Sequence, residues 1–225
     1  HPPGVAAVAR GPGERDGPAA REAGAVATGV LLAGGRSTRF GRDKLAAPYL
    51  GEPLLHRAAR ALAEVCAEVV VVVAPEAPDP SLPGDLRVRV ARDAREGEGP
   101  LAGILAGLRA VRTPLALVAA GDMPTLVPSV LRELVRAVLA GPVDAAALGE
   151  AGGFRPLPCA LRREALAAAR TRFGAGERSV RGFLAPLRLA VVPEEAWRAL
   201  DPSGETLRDV DLPADLGPRN DTSAP

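Results

Sequence analysis

Thr28-Gly29-Val30-Leu31-Leu32-Ala33-Gly34-Gly35-Arg36-Ser37-Thr38-Arg39-Phe40-Gly41-Arg42-Asp43-Lys44 joins a short apolar run to a glycine- and arginine-rich turn that ends on the only lysine of the chain. The apolar run from Thr28 to Ala33 is strand-sized. Glycines at 34, 35 and 41 let the backbone turn so that successive N–H groups face one concavity, the usual setting for a phosphate when it follows a strand. Of the 28 basic residues, 27 are arginine. Some position must hold the last lysine by chance, but Lys44 closes this turn, where a compact ammonium on a flexible stem suits a phosphate whose charge changes during reaction. With Arg36, Arg39 and Arg42 adding charge, the turn can wrap a triphosphate. It is not a Walker loop, because Lys44 follows Asp43 and precedes Leu45. Nor does it hold G-x-G-x-x-G, which makes a dinucleotide-dependent oxidoreductase the weakest reading.

Outward from this turn, strand and helix patterns alternate. Pro53 opens a helix to about Ala67, with Leu54, Leu55, Ala58, Leu62 and Val65 on one face. Val69 to Ala74 is a β-branched run of the kind covered on both faces of a parallel sheet. A proline-heavy loop, a short strand over Leu86 to Ala91, a helix over Pro100 to Val111 and a buried strand over Leu115 to Ala120 follow. A further helix runs from Pro128 or Ser129 to Leu139. The order β-α-β-β-α-β-α with right-handed crossovers predicts an α/β fold, a three-layer, doubly wound, Rossmann-like arrangement with a mostly parallel sheet. In the second half, strands are expected at 144–148, 157–161, 189–192 and 207–212, helices at 163–172 and 179–184, and a closing helical turn from Pro213.

With 225 residues and 47% hydrophobic content, the chain is long enough for one well-buried domain, expected over 28–216. The proline-, glycine- and arginine-rich stretch 1–27 reads as a disordered leader without the apolar core of a signal peptide, and 217–225 as a flexible tail. No run approaches the roughly 20 apolar residues of a membrane span, so a cytoplasmic chain without a membrane partner is expected. The net charge of +1 gives no global reason to bind nucleic acid. Cys66 and Cys159 lie in apolar elements and read as small core residues. With His1 and His56 as the only histidines, a histidine-based zinc site or a Ser-His-Asp triad has almost nothing to draw on.

Ligands of such sheets bind beyond the carboxyl ends of the strands, where both the 34–44 turn and Gly121-Asp122-Met123-Pro124 fall. Asp122 is either a turn-capping carboxylate or a ligand for Mg²⁺, which usually takes one or two carboxylates together with phosphate oxygens. Asp209-Val210-Asp211-Leu212-Pro213 offers two more carboxylates. In a strand these point to opposite faces, so at most one is expected at the metal, and either can instead be a surface residue. A cationic turn and a magnesium carboxylate without histidine fit attack by a phosphate monoester on the α-phosphorus of a nucleoside triphosphate. That nucleophile is largely dianionic near neutral pH and needs no general base. Catalysis is then positioning and charge neutralisation, with Asp122 at the magnesium and Lys44 and the arginines of the turn at the departing pyrophosphate.

These residues carry a resemblance. Leu32 to Lys44, Asp93, Gly99-Pro100-Leu101-Ala102-Gly103, Gly121 to Pro124, Ala175-Gly176-Glu177-Arg178 and Asp209 to Leu216 occur in order, and over about 28–216 the chain resembles the molybdenum cofactor guanylyltransferases of the nucleotidyltransferase superfamily. The resemblance implies transfer of GMP from GTP to molybdopterin with magnesium, releasing pyrophosphate. It places Leu32, Ala33, Gly34, Gly35, Arg36, Arg39 and Lys44 at the nucleotide, with Asp93 on the nucleoside and Gly99, Pro100 and Leu101 lining the site, and it makes Lys44, Arg39 and Asp122 the catalytic set. Asp122 would hold the metal with Asp209 or Asp211, and Arg178 would lie on the pterin side. Its implied partners are GTP, molybdopterin, a molybdopterin-delivering protein and a recipient molybdoenzyme. The chain departs from many relatives in having Asp209-Val210-Asp211-Leu212-Pro213 where they have Asn-x-Asn-Thr-Pro. Cytidylyl transfer to the same pterin and transfer to a sugar phosphate stay open, and so does a nucleotide-binding regulator or chaperone of molybdoenzymes, although such a protein has no reason to keep both Lys44 and Asp122.

Overall fold

A computed structural model of the chain describes residues 26–34, 44–93 and 97–216. The stretch through residue 25, residues 94–96 and those from 217 lie outside the described residues, as do residues 35–43, with Gly35, Arg36 and Arg39.

Ala27–Leu32 (β1) is an interior strand of a seven-stranded sheet. Pro48–Tyr49 (β2) and Glu52–Pro53 (β3) make a small hairpin turning at Leu50 and Gly51, whose φ angles of 50° and 84° are the two positive values a type I′ turn needs. Leu54–Ala63 (α1) leads to Val69–Val73 (β4) and Val88–Arg92 (β5). Next come Pro100–Ala110 (α2), Leu115–Ala120 (β6) and Pro128–Leu139 (α3). The second half contains Ala145–Glu150 (β7), Gly153–Arg162 (β8), Ala165–Gly174 (α4), Val180–Leu184 (α5), Leu189–Val192 (β9) and Glu194–Arg198 (α6).

The sheet order is β5-β4-β1-β6-β8-β7-β9, and β8 runs antiparallel to both its neighbours while the other pairings are parallel. The five valines of β4, none more than 3% exposed, show why this run carries no polar alternation. Val69, Val71 and Val73 join Leu31, Leu117, α1, α3 and Trp197 of α6 on one face. Val70 and Val72 join Val30, Val118, α2, α4 and α5 on the other. Close approach of α2 to β1 depends on Gly107, where a Cβ would overlap Val30 Cγ1. Both cysteines are free and buried, and burial pushes their thiols up to about 12. Among the described residues no helix is long and apolar enough to cross a membrane.

The expected three-layer, doubly wound arrangement is present, with local corrections. The first helix stops at Ala63, and the N–H groups of Val65 and Cys66 turn back to Leu62 O. Residues 207–212 do not form a strand. A 3-10 turn occupies Glu205–Leu207, and the chain then runs without a ladder partner to a second 3-10 turn at Pro213–Leu216.

Candidate active site

The connection from β1 to β4 carries α1 on one face, whereas the connection from β5 to β6 carries α2 on the other. Strand order therefore reverses between β1 and β6, and the crevice beyond their carboxyl ends is where an open α/β sheet binds its ligand. The two ends are tied together by Gly121 N–H, which donates to Leu32 O (2.9 Å), while Ala33 N–H donates to Val72 O of β4 on the other side (2.8 Å). Leu32 and Ala33 are partly buried there, and Gly34 is exposed.

Lys44 reaches this edge. Its Nζ donates to Asp122 Oδ2 at 2.8 Å and to Asp211 Oδ1 at 3.2 Å, with its side chain 12% exposed. Burial works against the ammonium's charge, but the hydrogen bond and charge of Asp122, then those of Asp211, outweigh it and hold the Lys44 pKa above its usual value. The Asp209 carboxyl is pushed upward, first by desolvation and then by the neighbouring Asp122 charge. Arg155 pulls it back, Asp211 pushes it further up, and Lys44 lowers it again.

Of the Asp209–Asp211 pair, Asp211 joins Asp122 on Lys44 through a hydrogen bond, while Asp209 is linked to the group only through the field of its charges. Opposite-facing side chains follow from a strand's pleat, and this segment has none. Val210 between them is fully buried beside Ala47, Tyr49 and Leu54, and its N–H donates to Asp122 O at 3.0 Å.

On the other side of β1, Asp93 follows β5, with its N–H on Val73 O at 2.9 Å. Gly99, at φ +84°, leads into α2, and Pro100 fills the first helical turn, where a missing N–H is no loss. The N-terminus of α2 therefore faces the carboxyl edge and offers its dipole to an anion. Leu101 is fully buried, and its N–H is taken by Arg178 O at 3.1 Å, so its side chain serves the core. Arg178 meets this turn through its backbone. Its guanidinium folds back onto Phe173 O and Glu177 O (2.8 and 2.9 Å) and stacks 4.1 Å from the centre of the Phe173 ring.

The sequence reading missed Arg155, whose Nη2 donates to Leu207 O at 3.4 Å beside the Asp209 segment. Because β8 is antiparallel, its beginning lies at the carboxyl edge of the sheet, and sequence alone does not reveal strand direction. It also missed Asp201 and Thr206, although Asp201-Pro202-Ser203-Gly204 is turn chemistry that could have signalled them.

Among the described residues no group of three or more His, Cys, Asp or Glu side chains is preassembled to hold a metal ion. The donor set nevertheless suits Mg²⁺. It consists of hard carboxylate oxygens, an ammonium already lies between two of them, and Mg²⁺ ordinarily completes its shell with water and phosphate.

A family model described as the MobA-like NTP transferase domain matches residues 29–192. A probable molybdenum cofactor guanylyltransferase of Chloroflexus aggregans is 37% identical over 195 residues, 84% of this chain and 91% of that protein. Another of the same description, from Opitutus terrae, is 39% identical over 180 residues, 76% and 87% of the two chains. The crystal structure of molybdopterin-guanine dinucleotide biosynthesis protein A from Archaeoglobus fulgidus superposes with a TM-score of 0.69 at 23% identity, over 84% of this chain and 94% of that one, a likeness of fold. Sheet order, the carboxyl-edge cluster and a match running from β1 to β9 agree, and the chain belongs to the MobA-like NTP transferase family of nucleotidyltransferases.

Proposed function

We propose that the chain transfers GMP from GTP to the terminal phosphate of molybdopterin, releasing pyrophosphate. The observation that carries this reading is the Lys44 ammonium shared by Asp122 and Asp211 at the switch point of the sheet, an anionic cation site beside a positive charge. The guanylyl and molybdopterin assignments are supported by the descriptions of the relatives from Chloroflexus aggregans and Opitutus terrae.

In the proposed reaction a phosphate oxygen of the acceptor forms a bond to the α-phosphorus of GTP, and the bond from that phosphorus to the oxygen bridging the β-phosphorus breaks. The acceptor is already anionic, so the chain supplies no general base. His56, the one described histidine, is tied to Ser81 O at 2.9 Å. Lys44, with Arg39 and Arg36 of the adjoining turn, neutralises the triphosphate and the departing pyrophosphate. The backbone from Leu32 through Gly35 cradles the phosphates, Asp93 contacts the nucleoside, and Gly99 and Pro100 bound its pocket, with Leu101 packed in the core behind them. Arg178 lies toward the pterin. Asp122, with Asp209 or Asp211, would hold Mg²⁺, which supplies Lewis-acid charge neutralisation on the phosphate oxygens. We place the reaction in the cytoplasm, carried out by one domain over 28–216, with a molybdopterin-delivering protein upstream and a molybdoenzyme as recipient.

The test is pyrophosphate release with Mg²⁺ and molybdopterin, comparing GTP, CTP and ATP, with Lys44→Ala as control. Release with GTP that is lost in the variant is expected. Preference for CTP would overturn the guanylyl assignment, and nucleotide binding without release would favour a regulator.

A further inference from the structure

Asp209 and Asp211 sit on a segment with no ladder partner, so something other than the sheet must set where their carboxylates stand. Upstream of them is Asp201, 4% exposed. Every bond its carboxylate accepts comes from the segment it precedes. Thr206 N–H donates to Oδ2 at 2.7 Å, Glu205 N–H to Oδ1 at 3.1 Å, and Ser203 Oγ to Oδ1 at 3.4 Å. Asp201 thereby caps the 3-10 turn at Glu205–Leu207, satisfying N–H groups that such a turn leaves without internal partners.

The cap is anchored at its other end. Asp201 N–H donates to Trp197 O at 3.1 Å, and the buried Trp197 Nε1 donates to Gly149 O at 2.8 Å, which ties the cap to β7. The capped turn is in turn bonded to the loop that carries Asp122. Val127 N–H donates to Thr206 Oγ1 at 3.1 Å, and Thr125 Oγ1 donates to Glu205 O at 2.8 Å. Three residues beyond the turn, Val210 N–H closes onto Asp122 O at 3.0 Å. The carboxylates of both segments therefore share one hydrogen-bonded frame, in which Asp201 fixes the turn that leads to Asp209, and Asp215 Oδ2 accepts from Asp211 N–H at 2.9 Å beyond it.

We propose that Asp201 is a positioning residue for the metal site, setting through Thr206 the placement of Asp209 and Asp211 relative to Asp122. This rests on the reading of those carboxylates as metal ligands. Mg²⁺ demands near-ideal octahedral geometry at about 2.0–2.1 Å, so a small displacement of the turn is felt as lost affinity. Partners that orient metal ligands typically contribute about 10–100-fold in metal affinity or activity.

The experiment measures Mn²⁺ binding by electron paramagnetic resonance, with the uncleavable α,β-methylene analogue of GTP present. It compares the wild type with Asp201→Ala, Asp201→Ser and Thr206→Val, each checked for native circular dichroism. About tenfold weaker Mn²⁺ binding is expected for Asp201→Ala, with a smaller loss in Thr206→Val. Asp201→Ser should recover part of the affinity, because its hydroxyl can still accept from Thr206 N–H. In turnover assays the KM for the metal should rise more than kcat falls. Wild-type Mn²⁺ affinity in folded Asp201→Ala or Thr206→Val overturns the proposal. If Asp201→Ala does not fold, Asp201→Ser and Thr206→Val decide. A wild type that binds Mn²⁺ but transfers no guanylyl group overturns the function proposed above and leaves this comparison standing.

Discussion

Lys44 Nζ stands 2.8 Å from Asp122 Oδ2, although 78 residues separate the two in sequence, and the same ammonium also reaches Asp211 at 3.2 Å. A cation of the protein thus occupies the space between two carboxylates that would serve a metal. Charges about 4 Å apart interact by roughly 4 kcal/mol at an effective dielectric near 20, so the ammonium and an entering divalent ion compete strongly. Lys44→Met is expected to bind Mn²⁺ at least tenfold more tightly than the wild type when no nucleotide is present. The same variant should lose two or more orders of magnitude in turnover, because the triphosphate has lost its ammonium. A Mn²⁺ titration without nucleotide, set beside kcat, checks both. Unchanged metal affinity would mean that Lys44 does not hold the metal's place.

Gly99 allows α2 to start beside Arg178. Its φ of +84° is unfavourable for any L side chain, and a Cβ there would stand 3.0 Å from Arg178 O and 3.1 Å from Arg178 Cβ. Gly99→Ala is expected to destabilise the fold by about 1–3 kcal/mol. It should also push the first turn of α2 away from the crevice, so that the KM for the nucleotide rises more than kcat falls. A matched Gly141→Ala variant, where the added Cβ meets nothing within 4 Å, serves as the control. Equal nucleotide KM values in the two variants would remove α2 from the site.

What could be read before the structure, and what could not, divides along physical lines. Val69–Val73 and Leu115–Ala120 announced themselves because strands buried on both faces need no polar alternation. Lys44 and Asp122 were legible because one ends a glycine turn after a strand and the other follows a strand directly. A strand's two-residue period does not describe Asp209 and Asp211, because their segment forms no ladder and is held by side-chain caps. Helix Glu194–Arg198 was passed over although Pro193 followed by two glutamates is a helix-start signal. The role of Asp201 lies in bonds to backbone N–H groups four and five residues ahead, and a surface aspartate in the same sequence would look identical.

The same Asp201 carboxylate makes stability depend on pH. Burial raises its pKa, but hydrogen bonds from Thr206, Glu205 and Ser203 outweigh burial and leave it below its usual value. A carboxyl with a depressed folded pKa contributes stability that is fully present above its unfolded value of about 3.9, and that stability is lost as pH falls through the folded value. Asp201→Ser removes this titration. The wild type should therefore exceed the variant in unfolding free energy at pH 6–7, and the gap should narrow as pH falls below about 4. Denaturant unfolding of both proteins across that range decides the matter, and parallel curves would show that Asp201 is equally protonated in the folded and unfolded chains.

Gly107 tests the packing that holds β1, and with it the crevice, in place. It lies within α2, where alanine is intrinsically favoured over glycine by about 1 kcal/mol. Space decides the sign here. An added Cβ would overlap Val30 Cγ1 and stand 3.3 Å from Cγ2, in a core where Val30 and Leu108 are at most 1% exposed. Overpacking of this kind costs about 1–3 kcal/mol beyond any helix gain, so Gly107→Ala is expected to lower the melting temperature by several degrees. Val30→Ala alone also destabilises, by leaving a cavity. Combining the two lets the new methyl fill the space the valine vacates, so the double variant should be less destabilised than the sum of the single changes. Strict additivity in that cycle would show that α2 shifts away from β1 instead of pressing against it.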